Sequence, residues 1–217
     1  MPFQQARFNM IEQQIRPWDV IDSNVLTLLA EVKREDFVPA IYKSLAFADM
    51  EIPLGHNQHM LSPKVEARML QDANIQSGDR VLEIGTGSGY MAALLAHQAS
   101  QVLTFEIYPA LVSLAKNNIA KADIQNIEIR QSDGAFGASE DGPFDVIILS
   151  GSVSEVPKDL MNQLSIGGRL VAITGSEPIM RATLITRATT NYFVTTHPWD
   201  TVATRLINFP EPSHFSF

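Results

Sequence analysis

The chain has no cysteine, so it carries no disulfide frame, no thiol nucleophile and no thiolate metal site. No stretch of its 217 residues approaches the roughly 20 apolar positions of a membrane span, and no membrane partner is expected. Basic residues are few. The 16 Lys and Arg against 24 Asp and Glu leave a net charge of −8 with no basic stripe, which disfavours nucleic acid as a substrate. The first residues, Met1-Pro-Phe-Gln-Gln-Ala-Arg7, lack the basic-then-apolar order of a secretion signal, so a cytoplasmic location is expected. Repeats, low-complexity runs and long linkers are also missing. What remains is an apolar content of 45% in a chain long enough for one full core.

The most informative stretch is Val81-Leu82-Glu83-Ile84-Gly85-Thr86-Gly87-Ser88-Gly89-Tyr90. Val81, Leu82 and Ile84 read as a buried parallel strand, the glycines as a tight turn, and 88–98 as the helix that follows. Glycine lets the turn take φ > 0 and brings a ligand against bare backbone, with free N–H groups at the helix start expected to point at it. A dinucleotide fingerprint needs a third glycine where this chain has Tyr90, so a nicotinamide or flavin domain fits poorly and stands as the alternative from another class. A second strand, 102–106, ends in Glu106, 21 residues beyond Gly85, where an acid accepts from ribose hydroxyls. A third, 127–130, runs into Ser132-Asp133-Gly134. The expected ligand carries a ribose and a base.

Around this stretch, Phe8, Ile11 and Ile15 space a first helix closed by Pro17. Asp22 or Ser23 caps a second with Val25, Leu28, Leu29 and Val32 as its stripe. The part from 47 to 53 reads as irregular or short strand, and Pro63 opens a third helix. Thereafter strands 81–84, 102–106, 127–130, 144–149 and 168–173 alternate with helices 88–98, 109–121 and 156–163, and two β-rich runs, 182–188 and 191–197, form an antiparallel edge. Strand 144–149 is the most apolar and should be central. The class is therefore α/β: a Rossmann-like, doubly wound, mainly parallel seven-stranded sheet with an antiparallel C-terminal edge and an N-terminal helical extension. Residues 1–75 form the extension and substrate loop, and 76–217 the ligand-binding domain, in one compact unit. The tail 209–217 reads as irregular, its phenylalanines docking on the domain or on a second copy.

The glycine loop and strand-end acids resemble the class I S-adenosylmethionine-dependent methyltransferases. That resemblance implies S-adenosyl-L-methionine as methyl donor and S-adenosyl-L-homocysteine as product. It places Gly85, Thr86, Gly87, Ser88 and Gly89 at the methionine part, Glu83 at the acid of the first motif, Glu106 at the ribose, and Asp133 with Gly134 near the adenine. A sulfonium ligand without phosphates makes these carboxylates welcome. More narrowly, Phe37-Val38-Pro39, Ile52-Pro53-Leu54-Gly55, the Pro63 helix, Val81 to Tyr90, Pro143-Phe144-Asp145 and Gln163-Leu164 with Gly167-Gly168 resemble, in order, the protein-L-isoaspartate O-methyltransferase family over roughly residues 5 to 175. The family methylates carboxylates exposed when aspartyl or asparaginyl residues isomerise, which starts repair of damaged proteins.

The chain departs from that family at one loop. Where the family reads Gly-Gln-Thr-Ile-Ser-x-Pro, this chain reads Asn57-Gln58-His59-Met60-Leu61-Ser62-Pro63. His59 replaces the threonine, Leu61 replaces the serine, and Ser62 offers a hydroxyl one position later. The resemblance makes Gln58, His59 and Ser62 the candidate catalytic residues, on a loop, 55–62, expected to close over the donor. Three readings stay open: an enzyme acting on isoaspartyl proteins or peptides with altered loop donors; a methyltransferase for an unidentified small-molecule acceptor, with His59 as base or binder and Leu61 lining an apolar pocket; and a protein that binds S-adenosylmethionine without transferring methyl. His56 and His59 have no third ligand at suitable spacing, so no metal site is expected.

Overall fold

The computed structural model describes residues 3–211. Helix α1 (Phe3–Met10) continues through a π turn, Ile11–Ile15, and a 3₁₀ turn, Arg16–Trp18, so the helical course ends beside Pro17 as its sequence requires. Ile11 and Ile15 are buried, but Phe8, expected on the same stripe, is 58% exposed. The buried face there is centred on Arg7, Met10 and Ile11, which leaves Phe8 at its edge. Helix α2 (Ser23–Glu31) is capped by Asp22, whose carboxylate accepts from the Asn24 N–H at 2.8 Å, and it buries Val25, Leu28 and Leu29. The segment read as irregular or short strand leads into a β-hairpin. Strands β1 (Ile52–Gly55) and β2 (Gln58–Met60) pair antiparallel across a tip in which His56 and Asn57 both have φ near +55° (53° and 55°). Helix α3 (Pro63–Ala73) follows, with Pro63 in its first turn.

Strands β3 (Arg80–Ile84), β4 (Gln101–Glu106), β5 (Ile127–Gln131), β6 (Phe144–Val153) and β7 (Leu164–Ser176) are parallel. Helices α4 (Tyr90–Gln98), α5 (Pro109–Lys121) and α6 (Lys158–Met161) lie between them. Strand β8 (Ile179–Thr189) returns antiparallel to β7, and both β9 (Tyr192–Thr196) and β10 (Asp200–Thr201) pair with β8. The order is β5-β4-β3-β6-β7-β8, with β9 and β10 as two segments on the outer edge of β8. Seven lanes result, and β6, the most apolar strand, holds the middle one. Helix α4 starts two residues later than expected because the glycine turn extends to Gly89, and α6 is shorter than 156–163 because β7 begins already at Leu164.

Alternation along the strands separates two cores. Val81, Val146, Ile148, Val171 and Ile173 face a large cluster shared with Leu29, Met69, Leu94 and Ile119 of the helices. Leu82, Ile147, Leu149, Leu170 and Ala172 face a smaller cluster closed by Ala135, Ala138, Leu160 and Phe209. Phe209 thus docks on this chain, whereas Phe215 and Phe217 lie outside the described residues.

The N-terminal segment is tied to the sheet by a buried arginine that the sequence pattern does not single out. Arg34, on the 3₁₀ turn Arg34–Asp36, is fully buried; it pairs with Glu66 of α3, donates from Nε to the Ala46 carbonyl at 3.0 Å and from Nη2 to the Leu61 carbonyl at 2.7 Å. Its guanidinium also lies 5.1 Å from the centre of the Tyr90 ring. One side chain therefore fixes the exit of the hairpin against α3 and the start of α4. Arg34→Ala leaves a buried carboxylate and two carbonyls without their donor, and should cost roughly 3–5 kcal/mol in a urea titration; a loss under about 1 kcal/mol would show the pair to be dispensable.

Candidate functional site

In a doubly wound sheet the ligand crevice lies beyond the carboxyl ends of the strands where the order reverses, here between β3 and β6. Beside that point, beyond the ends of β3, β4 and β5, a crevice is lined by Gln58 of the hairpin, Gly85 of the glycine loop, Glu106, Asp133, Gly134 and, from the C-terminal segment, Leu206, Ile207 and Phe209. Gly85, Gly87 and Gly89 have φ of 94°, 54° and 85°, as a turn of bare backbone demands. Four of the loop's N–H groups are engaged within the protein. Those of Gly85 and Thr86 donate to the Phe105 carbonyl at 2.9 and 3.2 Å, that of Gly87 to Glu106 Oε2 at 2.9 Å, and that of Gly89 to the Thr86 carbonyl at 2.8 Å. A loop that spends four donors internally offers little to a phosphate.

Beneath the loop sits Glu83, fully buried, accepting from the Thr104 hydroxyl of β4 and the Ser150 hydroxyl of β6, each at 2.7 Å. The hydroxyls of Thr86 and Thr104 are 2.6 Å apart, which joins the loop to the same cluster, while Ser88 is buried nearby in sequence. Burial pushes the Glu83 carboxyl up to about 8, against the two hydroxyl hydrogen bonds and with help from the charges of Glu106 and Glu66. Glu83 thus supports the loop from behind rather than lining the crevice. Thr104 and Ser150 were not legible as site residues.

Glu106 is 5% exposed and accepts from Gly87 N–H with one oxygen and from Tyr108 N–H, at 3.0 Å, with the other. Each oxygen keeps a second lone pair for a crevice ligand. The His56 ring of the hairpin tip stacks on Tyr108 at 4.3 Å and 13°, and a Cβ on Gly87 would lie 3.0 Å from Leu54, so the hairpin rests directly on the glycine loop. Asp133 accepts from Ala135 N–H at 3.0 Å and from the Asn208 amide at 2.7 Å. That second bond belongs to a strap, 203–209, that the sequence reading did not connect with the site. Leu206 packs so closely on Gly85 that a Cβ there would meet it at 2.9 Å. With the strap in place the crevice encloses about 40 Å³, far below the several hundred that ligand pockets usually hold, so the part of the strap over it, 206–209, has to shift for an adenosyl group to enter, while 203–204 stay anchored on β6.

The candidate acceptor residues divide. Gln58 lines the crevice, and His59 is half-buried beside the strap, its Nδ1 2.9 Å from the Thr204 hydroxyl. Ser62 is 7% exposed at the start of α3 and makes no capping bond there, which leaves its hydroxyl unspent. Leu61 does not line an apolar acceptor pocket. It is 4% exposed within the larger core, because Arg34 draws its carbonyl inward where the hairpin enters α3. The two histidines are committed separately, His56 to Tyr108 and His59 to Thr204.

Two measurements follow from this geometry. Glu83 folds with its carboxyl above the ordinary 4.5, so the folded state keeps a proton that the unfolded chain releases; its contribution is complete at low pH and is lost as pH rises from about 4.5 to about 8. Unfolding free energy should fall over that window with a slope of at most about 1.4 kcal/mol per pH unit from this group, and Glu83→Gln should remove that part of the slope. An unchanged profile would count against it. For the strap, Asn208→Ala removes a bond worth about 1 kcal/mol and should tighten S-adenosyl-L-homocysteine binding about fivefold by calorimetry; weaker binding would make Asn208 a ligand instead.

Residues 5–201 match the family model described as protein-L-isoaspartate(D-aspartate) O-methyltransferase. Proteins named protein-L-isoaspartate O-methyltransferase from Gloeobacter violaceus and Methanoculleus marisnigri are 38% and 40% identical over 179 and 174 residues. The alignments cover 82% and 80% of this chain and 87% and 79% of those proteins. A solved protein-L-isoaspartate O-methyltransferase superposes with a TM-score of 0.79 at 25% identity, covering 92% of this chain and 65% of that one. The Plasmodium falciparum structure titled as a putative member in complex with S-adenosyl-L-homocysteine gives 0.77 over 93% of this chain and 96% of its own, and at 20% identity it speaks for the fold alone. Sequence match, strand order and the placement of the glycine loop and its acids agree: the chain belongs to the protein-L-isoaspartate(D-aspartate) O-methyltransferase family.

Proposed function

We propose that this chain is an S-adenosylmethionine-dependent O-methyltransferase that esterifies the carboxylate exposed by isoaspartyl residues in damaged proteins or peptides. The observation that carries the donor assignment is the division of polar groups in the crevice. The glycine loop has spent four of its N–H groups, while Glu106 and Asp133 keep acceptor positions beside it, which suits a cationic ligand with sugar hydroxyls and an adenine amine. Gly85 to Gly89 hold the methionyl part, Glu106 the ribose, and Asp133 with Gly134 the base; Glu83 keeps the loop in shape. When bound, the donor supplies a methyl group on a positively charged sulfur.

An acceptor carboxylate is already ionised at neutral pH, so its oxygen forms the new O–C bond as the C–S bond breaks, the electron pair remains on sulfur, and no proton moves. The charges of nucleophile and sulfonium cancel, a change favoured in a site emptied of water. The chain's own part is therefore alignment, exclusion of water and donors for the second carboxylate oxygen. The Ser62 hydroxyl, free of a capping duty, and the Gln58 amide fill that role. Since the donor is a metabolite of the cell interior, we assign the reaction to the cytoplasm.

A methyl-transfer assay with tritiated donor and an isoaspartyl peptide tests the reading directly, and a peptide with normal aspartate serves as control. Ser62→Ala should lower turnover on the order of 10²-fold, the loss of one oxyanion-type donor, while shifting stability by less than the ~1 kcal/mol of a lost helix cap. Absence of transfer to the isoaspartyl peptide, with transfer to a small molecule from a metabolite extract, would replace this acceptor.

A further inference from the structure

His59 belongs to a chain of polar contacts that crosses three parts of the molecule. The Thr204 hydroxyl donates to Glu51 Oε2 at 2.8 Å, and the Thr204 N–H donates to Glu51 Oε1 at 3.1 Å. A carboxylate only accepts, and a hydroxyl has a single hydrogen. With that hydrogen given to Glu51, the 2.9 Å contact to His59 can only be made by Nδ1–H donating to Thr204. The tautomer is thereby set, and Nε2 is the nitrogen left to face a ligand. Thr204 itself is fixed on the end of β6, where Ser152 N–H donates to the Thr204 carbonyl at 2.8 Å and the Ser152 hydroxyl to the Ala203 carbonyl at 2.8 Å. The ribose acid, Glu106, ends β4, on the far side of β3. A donor spanning the switch point from Glu106 leaves the β6 side, where Thr204 and His59 stand, for the acceptor.

Resting on the methyl-acceptor reading above, we propose that His59 binds the acceptor's carboxylate as an imidazolium. Nε2–H donates to the substrate oxygen, while Thr204 and Glu51 take up Nδ1–H and balance the charge. A neutral Nδ1–H imidazole would present only a lone pair to the same anion, and so repel it. Two hydroxyl donors of the family's loop are thus replaced in this chain by one charged donor and Ser62. Glu51 and Thr204 are positioning residues and His59 is the group that touches substrate. The other charged groups nearby are Glu66, close enough for Glu51 to raise its carboxyl and paired with Arg34; Arg205, which pairs with Glu211 at 3.3 Å and donates to the Gly175 carbonyl, its buried Nη1 having no partner; and His56, stacked on Tyr108.

The test is the pH dependence of KM for an isoaspartyl peptide between pH 5.5 and 8.5, measured with saturating donor and with donor KM followed separately. Wild-type KM should rise about tenfold across the range with little change in kcat, and the peptide carboxylate, ionised throughout, contributes nothing to that rise. His59→Gln keeps a neutral donor and should turn over with a KM that no longer varies; Glu66 and Glu83 remain in that variant, so any slope that survives is theirs. Thr204→Val should raise KM about tenfold at pH 6, and Thr204→Ser should restore it. A flat wild-type profile, or an unaltered slope in His59→Gln, overturns the charged-donor role while leaving isoaspartyl methylation standing. A rate that increases with pH on a hydroxyl-bearing acceptor would make Nε2 a base instead. No transfer to the peptide at any pH removes the parent reading and this inference together.

Discussion

The architecture of the crevice depends on a carboxyl group that no ligand needs to touch. Glu83 gathers hydroxyls from the strands on either side of its own, Thr104 and Ser150, and through Thr104 reaches Thr86 in the turn. Without such partners a group so deeply buried would be costly, and with them it fastens three parallel strands together at the place where the sheet reverses its winding. The glycine turn can then be built from residues with almost no side chains, because its shape is imposed from below. Glu106 completes the arrangement from the side by holding Gly87 N–H.

On this base two extensions meet over the crevice. The hairpin comes from the N-terminal part, held at its exit by Arg34 and at its tip by the His56–Tyr108 stack. The strap comes from the C-terminal part, running along the end of β6 and crossing Gly85. Glu51, Thr204 and His59 join the two, so that closure by one is felt by the other. That coupling arises from hydrogen bonds between segments over 140 positions apart in sequence (|i−j| of 145 for His59 and Thr204), and only the fold brings them together.

The sheet and its order of elements were legible because each signal is local: apolar runs, helix spacing, Pro109 at a first turn, three alternate glycines. Glu106 and Asp133 of the crevice lining were legible for the same reason, since they sit at strand ends that the pattern already marks. Glu51, Thr204, Leu206 and Asn208 were not, because nothing local distinguishes a threonine on an irregular segment from any other. Leu61 shows the opposite failure. Its replacement of a hydroxyl residue drew attention to chemistry, yet burial had decided its role, and Ser62 one position on is where the unspent hydroxyl lies. The partners of the loop N–H groups were not legible either. The sequence reveals that glycines permit a turn but not whether the turn's donors face inward or outward.

The hairpin carries an irregularity at Leu54, where pairing slips between Pro53↔His59 and Gly55↔Gln58. Register at this slip decides how Gln58, His59 and Met60 are directed: Gln58 at the irregular end faces the crevice, while Met60 is buried in the core. Adding or deleting one residue here would exchange those directions all at once, sending a core methionine outward and a polar side chain in. What the hairpin presents to the crevice can therefore be altered by swapping residues at constant length far more readily than by changing the spacing between Leu54 and Pro63.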